Sequence, residues 1–339
     1  MNNSILPFFS TATSLKTLIL RYCNLEGRFP TKELNNLRNL EILDLSNNYL
    51  NGSLPEKEIA NLHKLKALDL SDNKFSGSLD ASGICELKNL HELDLSSNKL
   101  VGSILPCIGG LSKLLVLDLS KNQLNGSLPS VISNLKSLEY LSLYGNSFES
   151  LFSLSPLANL SKIKVFRLSS RSKLLQVEIR QDMWRPKFQL NVVELTYCNL
   201  GEIPSFLKYQ RGLCKIDLSN NNLTGVFPTW ILENNPELES LHIKNNALSM
   251  FQLPRLVHNV SVLSVGANHF IGPLPENIRH ILPNLRMLNI SSSGFKGNLP
   301  SSLGEMKRIK YMDMSYNNFS GNLPQNFTMG CLISIRRLM

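Results

Sequence analysis

One spacing governs the chain: Leu15-x-x-Leu18-x-Leu20 returns, with an apolar residue at each marked place, at positions beginning 40, 65, 90, 114, 138, 163, 190, 213, 238, 260, 285 and 309. These thirteen copies lie 22 to 27 residues apart, and the eighth residue after the first apolar one is Asn in nine: Asn48, Asn73, Asn98, Asn122, Asn146, Asn221, Asn246, Asn268 and Asn317. A fixed period of this length demands one small unit stacked many times, because a single copy cannot bury its own apolar face. Length alone suggests about two ordinary domains; the period replaces that with one solenoid.

Each element of the unit has a physical role. In Leu-x-Leu the period of two sends both leucines to one side of a short strand and the residue between them to the other. Neighbouring strands lie about 4.8 Å apart, so the stack has an inner strand array on the order of 60 Å long. An Asn side chain both donates and accepts, so stacked Asn residues satisfy turn groups that would otherwise be buried unpaired. Cys23 and Cys198 take that place in copies one and eight and read as buried structural thiols. Beyond it, Gly permits a tight bend and Pro, without an N–H, suits an irregular return path. With 64 Leu in 339 residues and 42% apolar side chains, the chain is not a disordered one.

The fullest copies run Leu40-Glu41-Ile42-Leu43-Asp44-Leu45-Ser46-Asn47-Asn48-Tyr49-Leu50-Asn51-Gly52-Ser53-Leu54-Pro55, closely repeated at 114–129, 213–228 and 309–324. This resembles the leucine-rich repeat in its plant extracellular form, marked by L-x-G-x-I/L-P after the Asn, over residues 15–324. The irregular middle is similar to plant leucine-rich-repeat receptor-like proteins, in Ser155-Pro156-Leu157-Ala158-Asn159, Trp184-Arg185-Pro186-Lys187-Phe188 and Pro228-Thr229-Trp230. The resemblance implies a leucine-rich-repeat solenoid, a curved β/3-10 superhelix of thirteen repeats with parallel strands on its concave face. It divides the chain into an N-terminal remnant without a cap (1–14), a repeat domain (15–330, irregular at about 148–190) and the start of a further repeat (331–339).

For function, the resemblance implies a receptor ectodomain at the extracellular face of the plasma membrane, without cofactor. Such an ectodomain binds a peptide, protein or cell-wall-derived ligand and signals in immunity or development through receptor-kinase co-receptors. The chain opens Met1-Asn2-Asn3-Ser4 and breaks its apolar stretch at Pro7, so no secretory signal is read. No run of about 18 apolar residues occurs, so membrane association is expected only through a helix absent from this chain. Two other readings stay open: a secreted inhibitor of cell-wall hydrolases, and a truncated product that is non-functional or acts as a decoy.

The outward strand residues are the candidate ligand surface. Between the leucines stand Asp44, Asp69, Asp94, Asp118, Asp217 and Asp313, replaced elsewhere by Arg167, Glu194, His242, Ser264 or Asn289. The net charge of +9 is concentrated: residues 162–187 hold eight bases (Lys162, Lys164, Arg167, Arg171, Lys173, Arg180, Arg185, Lys187) against Glu178 and Asp182, a local 8 − 2 = +6. Copy seven also puts Arg171 at the Asn place and breaks the ladder. A basic stripe with interleaved aromatics is missing, which argues against nucleic acid. The candidate ligand-binding residues are Tyr140, Tyr144, Arg167, Arg171, Tyr197 and His242; Tyr311 and Tyr316 also face outward.

No convergent catalytic group is found. His91-Glu92 lacks a second His four residues after the first, and no phosphate-binding glycine loop or kinase motif set is present. The six cysteines show no metal-ligand spacing, so no metal site is read. Cys85 and Cys107 precede the first leucines of the next copies by five and seven residues, which makes them a candidate disulfide on neighbouring turns if the chain is secreted. Cys214 reads as a free thiol. Glycosylation sequons stand at Asn2, Asn51, Asn125, Asn159, Asn222, Asn259, Asn289, Asn318 and Asn326.

Overall fold

The computed structural model describes residues 7–9, 11–79, 83–172, 174–178, 185–323 and 332–334, with residues 150 and 332–334 by backbone alone. Asn2, Lys173, Arg180, Asp182, Trp184, Asn326 and Cys331 lie outside the described residues. Within the region read as repeats, the chain forms two compact units, Met1–Phe188 and Gln189–Met339.

In unit one every apolar triplet becomes a short strand. These are β1 (Thr17–Ile19), β2 (Ile42–Asp44), β3 (Ala67–Asp69), β4 (Glu92–Asp94), β5 (Val116–Asp118), β6 (Tyr140–Asn146) and β7 (Val165–Ser170). Each pairs in parallel with its sequence neighbour. The shared register sets Leu43 beside Leu68, Leu68 beside Leu93, and Leu141 beside Phe166, all buried. In unit two the same arrangement joins β8 (Val192–Thr196), β9 (Lys215–Asp217), β10 (Ser240–His242), β11 (Val262–Ser264), β12 (Met287–Asn289), β13 (Tyr311–Asp313) and β14 (Leu332–Ser334). Each unit is a leucine-rich-repeat solenoid built of parallel strands.

Where the return path is helical it makes a single turn, not uniformly 3-10, and residues 251–260 carry no helix. Thr31–Leu34, Glu56–Ala60, Thr229–Asn234 and Ile278–Ile281 are α-helical turns, whereas Ser130–Asn134, Ser205–Tyr209 and Ser301–Glu305 are among the 3-10 turns. Pro30, Pro55, Pro129, Pro204, Pro228 and Pro300 each stand immediately before such a turn. There the fixed φ helps to aim the chain and the missing N–H costs nothing.

The Asn ladder ties each copy to the one before it. Asn48 Nδ2 donates to Leu20 O (2.8 Å) of the preceding copy and to Leu45 O (2.9 Å) of its own, while its Oδ1 accepts from Leu25 N (2.9 Å). The pattern recurs at Asn73, Asn98, Asn122, Asn146, Asn221, Asn246 and Asn268. Where Asn is replaced, other groups serve. Beside Arg171, the Ser170 hydroxyl donates to Phe148 O at 2.6 Å. In copy twelve the Ser293 hydroxyl donates to Val265 O (3.2 Å), and Phe270 N turns to the Ser293 carbonyl (2.8 Å).

Of the two thiols read as buried, only Cys198 is; burial pushes its pKa up, and its Sγ donates to Thr196 O at 3.4 Å. Cys23 is half-buried, because among the described residues no copy is stacked ahead of it.

Phenylalanines supply a second, unanticipated stack. In unit two the Phe295 ring centroid lies 5.2 Å from Phe270, 5.6 Å from Phe251 and 6.2 Å from Phe319. The signal was legible: Phe75, Phe148, Phe270, Phe295 and Phe319 all stand two residues after the ladder position.

Cys85 and Cys107 are joined by a disulfide with a Cα–Cα distance of 5.8 Å, linking the adjacent return turns Ile84–Glu86 and Pro106–Gly110. The bridge closes a loop of sequence separation 22. Removing both sulfurs (Cys85→Ser with Cys107→Ser) is expected to cost unit one about 3 kcal/mol, mainly through a less constrained unfolded chain. Urea unfolding of the double variant beside the oxidised parent measures this; equal midpoints would reject it.

Candidate ligand-binding faces

In unit one the strand face is organised by a row of carboxylates. Parallel register sets Asp44 beside Asp69, Asp69 beside Asp94, and Asp94 beside Asp118. Each Oδ1 accepts the backbone N–H of the serine two residues on, at 3.0, 2.9, 2.8 and 2.8 Å for Ser46, Ser71, Ser96 and Ser120. The recurrent Asp-Leu-Ser is therefore a strand-ending side-chain turn. That gives the repeated Asp a structural role before any ligand is considered.

Both ends of the row are closed by partners. Arg21 Nη2 lies 2.5 Å from an Asp44 oxygen and 3.6 Å from one of Asp69. At the other end the Tyr140 hydroxyl donates to Asp118 Oδ2 at 2.9 Å and accepts from Arg167 Nη1 at 3.4 Å, with the guanidinium 5.7 Å from the ring centroid. Burial, then the Asp118 charge, pushes the Tyr140 phenol up to about 12. Tyr140 and Arg167 are thus brought together as an end-cap of the acidic row.

Asp94, in the middle, is pushed up to about 6, first by burial and then by Asp118 and Asp69, against the Ser96 hydrogen bonds. The folded state therefore holds this proton more tightly than the unfolded chain. Stability from it is present below about pH 4 and is lost as pH rises through about 6. Asp94→Asn keeps the Oδ1 acceptor, as Asn289 does for Ser291 N at 3.1 Å. The variant is expected to be more stable than the parent by about 1 kcal/mol at pH 7.5, discounting for partial exposure, with the difference vanishing near pH 4. Denaturation midpoints at the two pH values decide it; a gap that widens on acidification would refute the assignment.

Among the described residues, three bases of the basic stretch are engaged differently. Lys164 pairs with Glu139 at 2.7 Å, Arg167 caps Tyr140, and exposed Arg171 sits at the ladder position, its N–H on Asn146 O at 2.7 Å. Tyr144 stands exposed at the far end of β6.

Unit two carries a different face. Register aligns Glu194, Asp217, His242, Ser264, Asn289 and Asp313. Lys215 Nζ donates to Glu194 Oε1 at 2.6 Å, and the Ser240 hydroxyl lies 2.8 Å from His242 Nε2. Burial first, with Lys215 and Lys244, lowers the His242 pKa against the opposing pull of Asp217 and Glu194.

One conformational feature recurs where the strands end. The residue before the ladder position is left-handed in copy after copy, both where its type tolerates this, as at Asn47 (φ 55), Asn220 (φ 60), Asn245 (φ 55) and Gly145 (φ 71), and where it does not, as at Lys121 (φ 52) and Ala267 (φ 51). Tyr22 (φ 56), Tyr197 (φ 54) and Tyr316 (φ 56) occupy the same place. They are 72%, 55% and 61% exposed, so packing does not explain them. A residue other than Gly, Asn or Asp in this region costs on the order of 1–2 kcal/mol, which the repeat turn imposes on Lys121 and Ala267 as well; what sets the tyrosines apart is an exposed aromatic ring at that place. Tyr22, with the exposed Ile19 and Ile42, was missed in the sequence although the register reaches it.

Among the sequons, Asn51, Asn125, Asn159, Asn222, Asn259 and Asn318 are exposed. Asn289 is half-buried on β12, its Oδ1 accepting from Ser291 N and Oγ.

Known proteins share this organisation. Family models described as "Leucine rich repeat" match residues 13–75 and 88–148, and a second set matches 64–87, 212–234, 284–306 and 308–329, together more than half the chain. Receptor-like protein 9b of Arabidopsis thaliana is 60% identical over 98% of this chain and 35% of its own length. Receptor-like protein 14 of Arabidopsis thaliana is 52% identical over 97% of this chain and 36% of its own length. The chain thus spans about a third of the length of these curated relatives. Among solved structures, the plant peptide hormone receptor RGFR1 in complex with RGF2 is 28% identical with a TM-score of 0.71, over 95% of this chain and 55% of that one. The Arabidopsis receptor kinase HAESA, in complex with the peptide hormone IDA and the co-receptor SERK1, is 25% identical with a TM-score of 0.62, over 94% of this chain and 61% of that one. With its repeats, its ladder and these relatives in agreement, the chain belongs to the leucine-rich-repeat proteins and, among them, to the plant receptor-like proteins.

Proposed function

We propose that the chain is a ligand-binding, non-catalytic part of a plant cell-surface receptor-like protein. It takes a peptide, protein or cell-wall-derived ligand on its outward strand residues and signals with receptor-kinase co-receptors in immunity or development. The observation that carries this reading is the exposed aromatic rings of Tyr22, Tyr197 and Tyr316 at the turns that end the strands. Tyrosine offers contact area with a polar tip and is enriched where proteins meet partners. The solved neighbours RGFR1, a peptide hormone receptor in complex with RGF2, and HAESA, in complex with the peptide hormone IDA, support a peptide ligand. The Cys85–Cys107 bridge and the exposed sequons suit an oxidising, extracellular setting. Glycans are expected on the exposed sequons and not on Asn289.

The test is a selection. The full chain, secreted with its disulfide formed, is used to enrich binders from a displayed random heptapeptide library. Replacing Tyr197 and Tyr316 by Asn, which tolerates the left-handed backbone, is expected to raise stability by about 0.5–1 kcal/mol each while enrichment falls at least about tenfold. Lys32→Asp, on the return turn, leaves enrichment unchanged. Equal enrichment by parent and double tyrosine variant would remove the reading.

A further inference from the structure

In unit two, two buried hydroxyls lack any partner. Thr196 is 5% exposed and Ser219 1% exposed, and neither Thr196 Oγ1 nor Ser219 Oγ makes a hydrogen bond. They occupy the same register place in adjacent copies, two residues after Glu194 and Asp217. In four other copies the hydroxyl at this place closes on its own copy's acceptor: Ser46 on Asp44 at 2.7 Å, Ser71 on Asp69 at 2.6 Å, Ser315 on Asp313 at 2.6 Å and Ser291 on Asn289 at 2.8 Å. At Ser219 only the backbone N–H reaches Asp217 Oδ1, at 2.9 Å. The hydroxyl has left the bond that its equivalents make, although a buried unmade hydrogen bond costs on the order of 1–3 kcal/mol.

The surroundings indicate what would satisfy them. Glu194 is neutralised by Lys215 at 2.6 Å. His242, beside Asp217 in register, has its pKa lowered by burial and by Lys215 and Lys244, against Asp217 and Glu194. With a neutral imidazole, the charges of Glu194, Asp217, Lys215 and Lys244 sum to zero. Such a place suits an uncharged group that both donates and accepts. A cation would meet Lys215 and Lys244, and an anion would meet Asp217.

We propose that Thr196, Ser219 and Asp217 form a recognition subsite for an uncharged hydroxyl or carboxamide side chain of a peptide ligand. The ligand group accepts from the two hydroxyls and donates to Asp217. This deepens, and rests on, the ligand-binding reading of the strand face. A peptide is preferred to an oligosaccharide because the solved neighbours include the peptide hormone receptor RGFR1, in complex with RGF2, and HAESA, in complex with the peptide hormone IDA.

The probe is a positional-scanning hexapeptide library in which one residue at a time is fixed, applied to the full chain and to a Thr196→Val, Ser219→Ala double variant. The expected result is a preference for Ser, Thr, Asn or Gln over Lys, Arg, Asp and Glu at one position, falling about tenfold in the variant, the size of one good hydrogen bond. Thermal unfolding of the variant should show a midpoint equal to or above the parent's, because the substitutions remove unsatisfied groups. A lowered midpoint would mean the hydroxyls serve the fold, and overturns the subsite. Peptide enrichment without that preference, or with a preference the variant retains, overturns the subsite and leaves the ligand-binding reading standing. Enrichment of no peptide, or retention only on an array of neutral oligosaccharides, overturns the peptide reading together with the subsite.

Discussion

Phe295→Ala is expected to lower the stability of unit two by about 3–5 kcal/mol, the range for deleting a buried aromatic ring. The ring is 1% exposed and touches three others, at 5.2, 5.6 and 6.2 Å between centroids. Each aromatic pair adds about 0.5–1.5 kcal/mol beyond area burial. In a repeat array such a loss falls on the affected copies and their neighbours before it reaches the rest. The measurement is urea unfolding followed by Trp230, which lies in unit two, in a Trp184→Phe background. A shift worth less than about 1 kcal/mol would show that the phenylalanine stack is ornamental to stability.

Asn221→Ala comes next, at about 3–4 kcal/mol, because a single amide serves five backbone groups. Nδ2 donates to Leu195 O (2.8 Å), Leu218 O (2.9 Å) and Ser219 O (3.3 Å), and Oδ1 accepts from Cys198 N (2.9 Å) and Leu200 N (3.2 Å). Alanine leaves these buried groups unsatisfied. Serine should cost less, since Ser293 shows that a hydroxyl can make the donor half of the contact. Amide exchange at Cys198 and Leu200 should accelerate most. Unchanged protection there, whatever the global stability, would contradict the ladder's role.

Much of the fold was legible because its period is short and its chemistry is strict. The triplet Leu-x-Leu places a strand, and the Asn at a fixed distance places the turn, with no tertiary information needed. What the repeat pattern could not supply was anything set by neighbouring copies. Arg167 reads as a candidate ligand contact, yet the parallel register lays it against Tyr140 and, through it, Asp118. Asp94 looks like every other Asp of its row, but Arg21 reaches Asp44 and Asp69 and Tyr140 donates to Asp118, while burial and the neighbouring carboxylates act on Asp94. Thr196 and Ser219 carry no sequence signal at all. Their distinction is a bond not made, visible only beside serines that do make it. The left-handed tyrosines lie between these cases: register gives the position, but only the backbone shows that the position is costly.

The most direct test of the account is hydroxyl-radical footprinting of the full chain with and without a peptide enriched from the heptapeptide library. Tyrosines are the natural reporters, since Tyr22, Tyr144, Tyr197 and Tyr316 are exposed at strand ends, whereas Tyr49 and Tyr209, also exposed, sit on the return path. The account predicts that peptide protects one or more of the first four and leaves Tyr49 and Tyr209 as reactive as before. Protection of Tyr49 or Tyr209 with the strand-end tyrosines unchanged would contradict it.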